Sequence, residues 1–82
     1  METSILEQRV RAVIAHTFRL SEETAAGELR MGSPPAWDSL GHMGLVAAFE
    51  QEFDVRFPVH MLPELGSVPA IIDALNTQLV IP

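Results

Sequence analysis

The sequence predicts an all-α fold, and three observations carry that expectation. Apolar residues recur at helical spacing in three separate stretches: Leu6, Val10, Val13, Ile14 and Phe18; Leu40, Met43, Val46, Phe49 and Phe53; and Val68, Ile71, Ile72, Leu75 and Leu79. No stretch alternates apolar and polar residues as a half-buried strand would, and no segment repeats. Most prolines and glycines lie between the periodic stretches; Gly41, Gly44 and Pro69 lie inside them, and Pro82 follows the last. Together these predict one domain spanning residues 1–82, a small bundle of three principal helices plus one short helix, with a long loop between the first and second.

The first helix is expected to begin near Thr3 or Ser4, either of which can cap it, and to end around Phe18-Arg19-Leu20. Glu7 and Arg11 stand four apart on its outer face, an exposed pair worth about 0.3 kcal/mol. Residues 21–37 form the long connection, interrupted by Gly27, Gly32, Pro34 and Pro35, with room for one helical turn at Glu22 to Ala26. Connections of this length inside a small domain often serve a function. Leu20, Leu29, Met31 and Trp37 can pin it to the helices.

The second helix is expected over Ser39 to Phe53, with Asp38 as N-cap, Ser39 in the first turn beside the loop and Leu40 as the first core residue. Gly41 and Gly44 inside it each cost about 1 kcal/mol relative to alanine. Close packing of a neighbouring loop would explain them, and so would close approach of a partner or ligand. Asp54 to Pro58 reads as an extended connector, and His60 to Leu65 as a short third helix interrupted by Pro63. Gly66-Ser67-Val68-Pro69 then signals the start of the last helix, with Ser67 as cap and proline in its first turn; that helix ends before Pro82.

Composition narrows the function. The chain has 82 residues, 48% of them hydrophobic, and a net charge of −6 from eleven acids against five bases, all five arginine. Nucleic-acid binding is not expected, because no basic cluster exists to displace phosphate counterions. The acidic balance favours encounters with basic protein surfaces. No run is long enough to span a bilayer and the N-terminus lacks a signal-peptide pattern, so no membrane association is expected and the chain reads as a soluble, cytoplasmic monomer. Cysteine is absent, which removes disulfides, thiol nucleophiles and cysteine–zinc sites from the protein's own chemistry.

The remaining candidates for chemistry are few. His16, His42 and His60 lie on three different elements without ligand spacing, so no metal site is expected and all three read as surface or half-buried. Ser39 and His42 are three apart on one helix, close enough to touch. A serine hydrolase would also need an orienting carboxylate, an oxyanion hole and a cleft, so no catalytic residue is assigned. Glu50, Glu52 and Asp54 form an acidic surface suited to recognition by a basic partner.

At Asp38-Ser39-Leu40 the chain resembles the acyl carrier proteins. That family places Asp-Ser-Leu at the start of its second helix, followed by apolar helical spacing and an acidic-aromatic ending, here Phe49-Glu50-Gln51-Glu52-Phe53-Asp54. Length, acidity, the long first loop, the short third helix and the Ser67-Val68 start of the last helix extend the likeness over nearly the whole chain.

The resemblance implies a carrier, not an enzyme, with 4′-phosphopantetheine attached to Ser39 by a separate phosphopantetheinyl transferase. Asp38, Leu40 and His42 would lie beside the arm, His42 near its phosphate. Trp37, Met43, Glu50 and Glu52 would meet partners. Those partners would be the transferase, an acyl- or aminoacyl-loading enzyme, and an acyltransferase or synthase. Fatty-acid carriers commonly bear Leu-Gly-Ala before the Asp, and acids two and five residues after the serine. This chain has Pro35-Ala36-Trp37, Gly41 and Gly44 there. The Trp-Asp-Ser-Leu-Gly-His run looks like stand-alone carriers of polyketide or other specialised pathways. A peptidyl (aminoacyl) carrier, which more often shows Gly-Gly before His/Asp-Ser-Leu, and an unmodified acidic helical docking module are the alternatives.

Overall fold

The computed structural model describes residues 5–79. Helix α1 spans Ile5–Phe18, a single turn α2 spans Glu22–Ala25, α3 spans Ser39–Phe53, a 3-10 segment spans Val59–Glu64, and α4 spans Val68–Leu79. The described residues are mostly helical and contain no strand, so the all-α expectation holds. The caps expected at Thr3 or Ser4, the apolar contact expected of Leu79 and the helix end before Pro82 lie outside what is described.

Each boundary has a local cause. Arg19 ends α1 in the left-handed region at φ 56°, and Leu20 N–H donates back to Ala15 carbonyl at 2.9 Å. Ser21 caps α2 by accepting the Thr24 N–H. Asp54 ends α3 in the left-handed conformation, with its N–H and that of Val55 both donating to the Glu50 carbonyl. Ser67 Oγ accepts the Ala70 N–H at the start of α4.

The predicted inner faces meet in one core. Val10 and Ile14 of α1, Leu45, Val46, Phe49 and Phe53 of α3, and Val68, Ile71, Ala74 and Leu75 of α4 are buried together. The connections contribute Leu29, Trp37, Val55, Phe57 and Leu65 to the same cluster. Leu6, Val13 and Phe18 pack at its edge.

The long loop is held, not free. Met31 N–H donates to Gly66 carbonyl at 2.8 Å and Val68 N–H to Leu29 carbonyl at 3.3 Å, which ties the loop to the start of α4. Arg11 does more than the exposed pair the sequence suggested. It bonds Glu7 at 2.9 Å while half-buried, and its Nη1 donates to the carbonyls of Ala25 and Gly27. One side chain thus fastens the first half of the loop to α1.

One expectation for α3 fails. Leu40 is 82% exposed, so it is not the first core residue; Met43, expected to meet partners, is 54% exposed. The reason is helical phase. The inner stripe is set by His42, Leu45, Val46, Phe49 and Phe53, and Leu40 falls on the opposite side with Met43 at the flank.

Candidate functional site

The site is the junction where the loop enters α3. Asp38 sits in extended conformation and its Oδ1 accepts the Gly41 N–H at 2.8 Å, while its carbonyl accepts the His42 N–H at 2.7 Å. The cap therefore forms as expected. Ser39 is the first helical residue and is exposed. Its own N–H and that of Leu40 belong to the first turn, where helical geometry offers no carbonyl partner.

Beneath this exposed edge the chain is tightly packed. Gly41 is there because nothing larger fits: a Cβ at that position would collide with the Ala36 carbonyl oxygen and lie 3.0 Å from Phe18 Cε1. A Cβ on Gly44 would meet nothing within 4 Å. The two glycines that looked alike in sequence thus answer to different causes, loop packing at Gly41 and open surface at Gly44.

Trp37, expected to face partners, is instead fully buried at 0% exposure. Its ring stacks against Phe18 and against His42, each with centroids 6.1 Å apart. Its Nε1–H donates to His42 Nδ1 at 2.9 Å. An indole of this size carries a large apolar area into the core, and its single polar atom needs a partner there. His42 supplies it.

His42 is likewise displaced from its expected role beside the arm. It is 4% exposed, and its Nε2 lies 2.8 Å from the Leu62 carbonyl oxygen. Both ring nitrogens are engaged by groups inside the fold, so the imidazole has no free nitrogen for a phosphate or for the Ser39 hydroxyl. His16 and His60 are exposed as expected. Among the described residues no cluster of three histidine or acidic side chains could hold a metal ion.

The acidic candidates lie at the other end of α3. Glu50 is eleven residues beyond Ser39, roughly 16 Å along the helix axis. Glu50 is half-buried and its Oε2 accepts the Phe57 N–H at 2.9 Å, securing the connector after α3. Glu52 is exposed and pairs with Arg9 at 3.2 Å, and the same arginine lies 4.5 Å above the Phe53 ring. Both carboxylates are therefore committed to intramolecular contacts at the foot of the helix.

Between Ser39 and Phe49 the sequence holds no acidic residue, arginine or lysine. The outward face next to Ser39 consists of Leu40, Met43, Gly44 and Ala47, all exposed. Val59, on the 3-10 segment that His42 ties to α3, is 81% exposed. Sequence reading missed Val59 because the short segment has no period from which to assign a face.

An exposed primary hydroxyl on the first residue of a helix can take a phosphodiester. The phosphate would lie beside first-turn N–H groups and the positive end of the helix dipole. The residues present fit that group: the neighbouring Asp38 carboxylate is already turned onto Gly41 N–H, and the helix adds no further acid for ten residues beyond Ser39. No family model matches this chain.

Proposed function

We propose that the chain is an acyl carrier protein, modified on Ser39 with 4′-phosphopantetheine. The observation that carries this reading is an exposed serine as the first residue of α3, directly after a capping aspartate, in a small acidic helical bundle. The Asp-Ser-Leu resemblance supports it. In this reading the protein catalyses nothing itself and is the substrate of a phosphopantetheinyl transferase.

The attachment is a displacement at phosphorus. The Ser39 Oγ–P bond forms as the diphosphate linkage of coenzyme A breaks, the hydroxyl proton is lost, and the nucleotide half departs. When bound, the arm supplies the thiol that a cysteine-free chain lacks, and holds acyl groups as thioesters. The protein's share is position: α3 fixes the attachment point, and a tether raises the effective concentration of cargo at each docked enzyme.

Partners in this reading are the transferase, an acyl- or aminoacyl-loading enzyme, and an acyltransferase or synthase. They meet an uncharged face of Leu40, Met43 and Gly44, and specificity comes from apolar fit more than from acidic residues near Ser39. That surface supports a specialised pathway such as polyketide synthesis over a housekeeping one.

The test is incubation with a broad-specificity phosphopantetheinyl transferase and coenzyme A, read by intact mass. Wild type gains one arm and Ser39→Ala gains none. Equal gain by both chains, or gain by neither, removes the assignment.

A further inference from the structure

We infer that Met43 is an oxidation site, a methionine that hydroperoxides convert to the sulfoxide and whose conversion weakens docking at Ser39. The site stands on its exposure and open surroundings; the consequence for docking rests on the proposed carrier function.

Exposure singles this methionine out. Met43 is 54% exposed, whereas Met31 and Met61 are half-buried and pack against the core cluster. Its surroundings on α3 are open. Leu40 before it and Ala47 after it are exposed, and a methyl group placed on the adjacent Gly44 would meet nothing within 4 Å. A small neutral oxidant therefore reaches the side chain without displacing any part of the fold.

The step is a two-electron oxygen transfer. The thioether sulfur attacks one oxygen of the peroxide, so an S–O bond forms as the O–O bond breaks. The proton on the transferred oxygen passes to the departing one, which leaves hydrogen peroxide as water. Sulfur is oxidised and the peroxide reduced. The product is polar and chiral where methionine was apolar and flexible, and methionine sulfoxide reductases reverse the change.

The position of Met43 makes this consequential. It lies four residues after Ser39 on the same side of α3, one turn and about 6 Å along the axis. With Leu40 and Gly44 it belongs to the uncharged face that partners meet in the carrier reading. A thioether suits that contact because it adapts to varied apolar surfaces. A sulfoxide oxygen in its place loses water when a partner docks, and an apolar partner surface returns no hydrogen bond. The penalty falls on docking and not on folding, because Met43 lies outside the core.

Graded treatment of the wild-type chain with hydrogen peroxide, followed by fragment mass, should place oxygen on Met43 ahead of Met31 and Met61. Transferase kinetics on the same samples should show KM for the chain raised roughly tenfold, the size expected for one polar group desolvated without a partner. Thermal unfolding should match that of the untreated chain, and a sulfoxide reductase should restore KM. Met43→Leu should show the same KM before and after peroxide. Met1, which lies outside the described residues, is present in both chains, so the comparison removes its contribution. Met43→Gln, which puts a polar group at the position without peroxide, should show a KM above wild type when untreated.

Oxygen on Met31 or Met61 before Met43 overturns the site. An unchanged KM once Met43 is oxidised, an equal rise in Met43→Leu, or a rise that comes with a lower melting temperature overturns the docking role. If oxygen maps to Met43 but untreated wild type gains no arm, the carrier reading fails, the docking role fails with it, and the oxidation site stands.

Discussion

Gly41 and Gly44 stand three residues apart on α3, yet a methyl group added to each would meet opposite surroundings. At Gly41 it would strike the Ala36 carbonyl and press on Phe18; at Gly44 it would enter open space. The same contrast runs through the first two turns of the helix. Inward, Trp37 and His42 are buried, stacked and bonded to each other. Outward, Ser39, Leu40, Met43 and Gly44 are exposed and carry no charge. One side of this segment is constrained by the fold, and the other is free to be used by something else.

The contrast can be broken from its buried side first. Trp37→Ala should cost about 3–5 kcal/mol, since it removes a fully buried aromatic ring and leaves His42 Nδ1 unpaired. Urea denaturation followed by circular dichroism measures this, and a loss comparable to that of a surface substitution would show the loop to be dispensable.

Gly41→Ala comes next. The collision is with loop backbone, so the loop must shift, and a net loss of about 1–3 kcal/mol is expected despite the better helix propensity of alanine. Gly44→Ala has the opposite sign: with no obstruction it should stabilise by up to ~1 kcal/mol. Equal effects at the two positions would erase the distinction drawn above.

The smallest effects belong to the outer face. Leu40→Ser and Met43→Ser should each leave stability within about 0.5 kcal/mol of wild type, because neither side chain is in the core. In the carrier reading the same two changes weaken docking of the transferase, visible as a raised KM in the modification assay. Stability and docking thus separate by face.

Much of this fold could be read from the sequence, and the errors share one origin. Helical periodicity located the three long helices and most of their inner faces because burial repeats with the helix. It misjudged Leu40 because α3 has apolar residues on both sides of its first turns, so the pattern alone gives no phase. The phase is set by Trp37 and His42, whose partnership crosses from loop to helix. Their spacing, one residue before the cap and four after it, was a signal available in the sequence. Histidine does not look apolar, and the pair went unread.

Asp38 and Ser39 were legible because capping is a local interaction. The commitments of Glu50 to Phe57 and of Glu52 to Arg9 were not, since they depend on how distant segments fold back.

The account as a whole turns on Ser39 being the attachment point. The most direct measurement is fragmentation of the transferase-treated wild-type chain, reading which peptide retains the added arm. The carrier reading predicts that the added mass stays with every fragment containing Ser39 and with none that lacks it. Arm mass on a fragment carrying Ser21, Ser33 or Ser67 but lacking Ser39, or no arm on the folded chain at all, would contradict it.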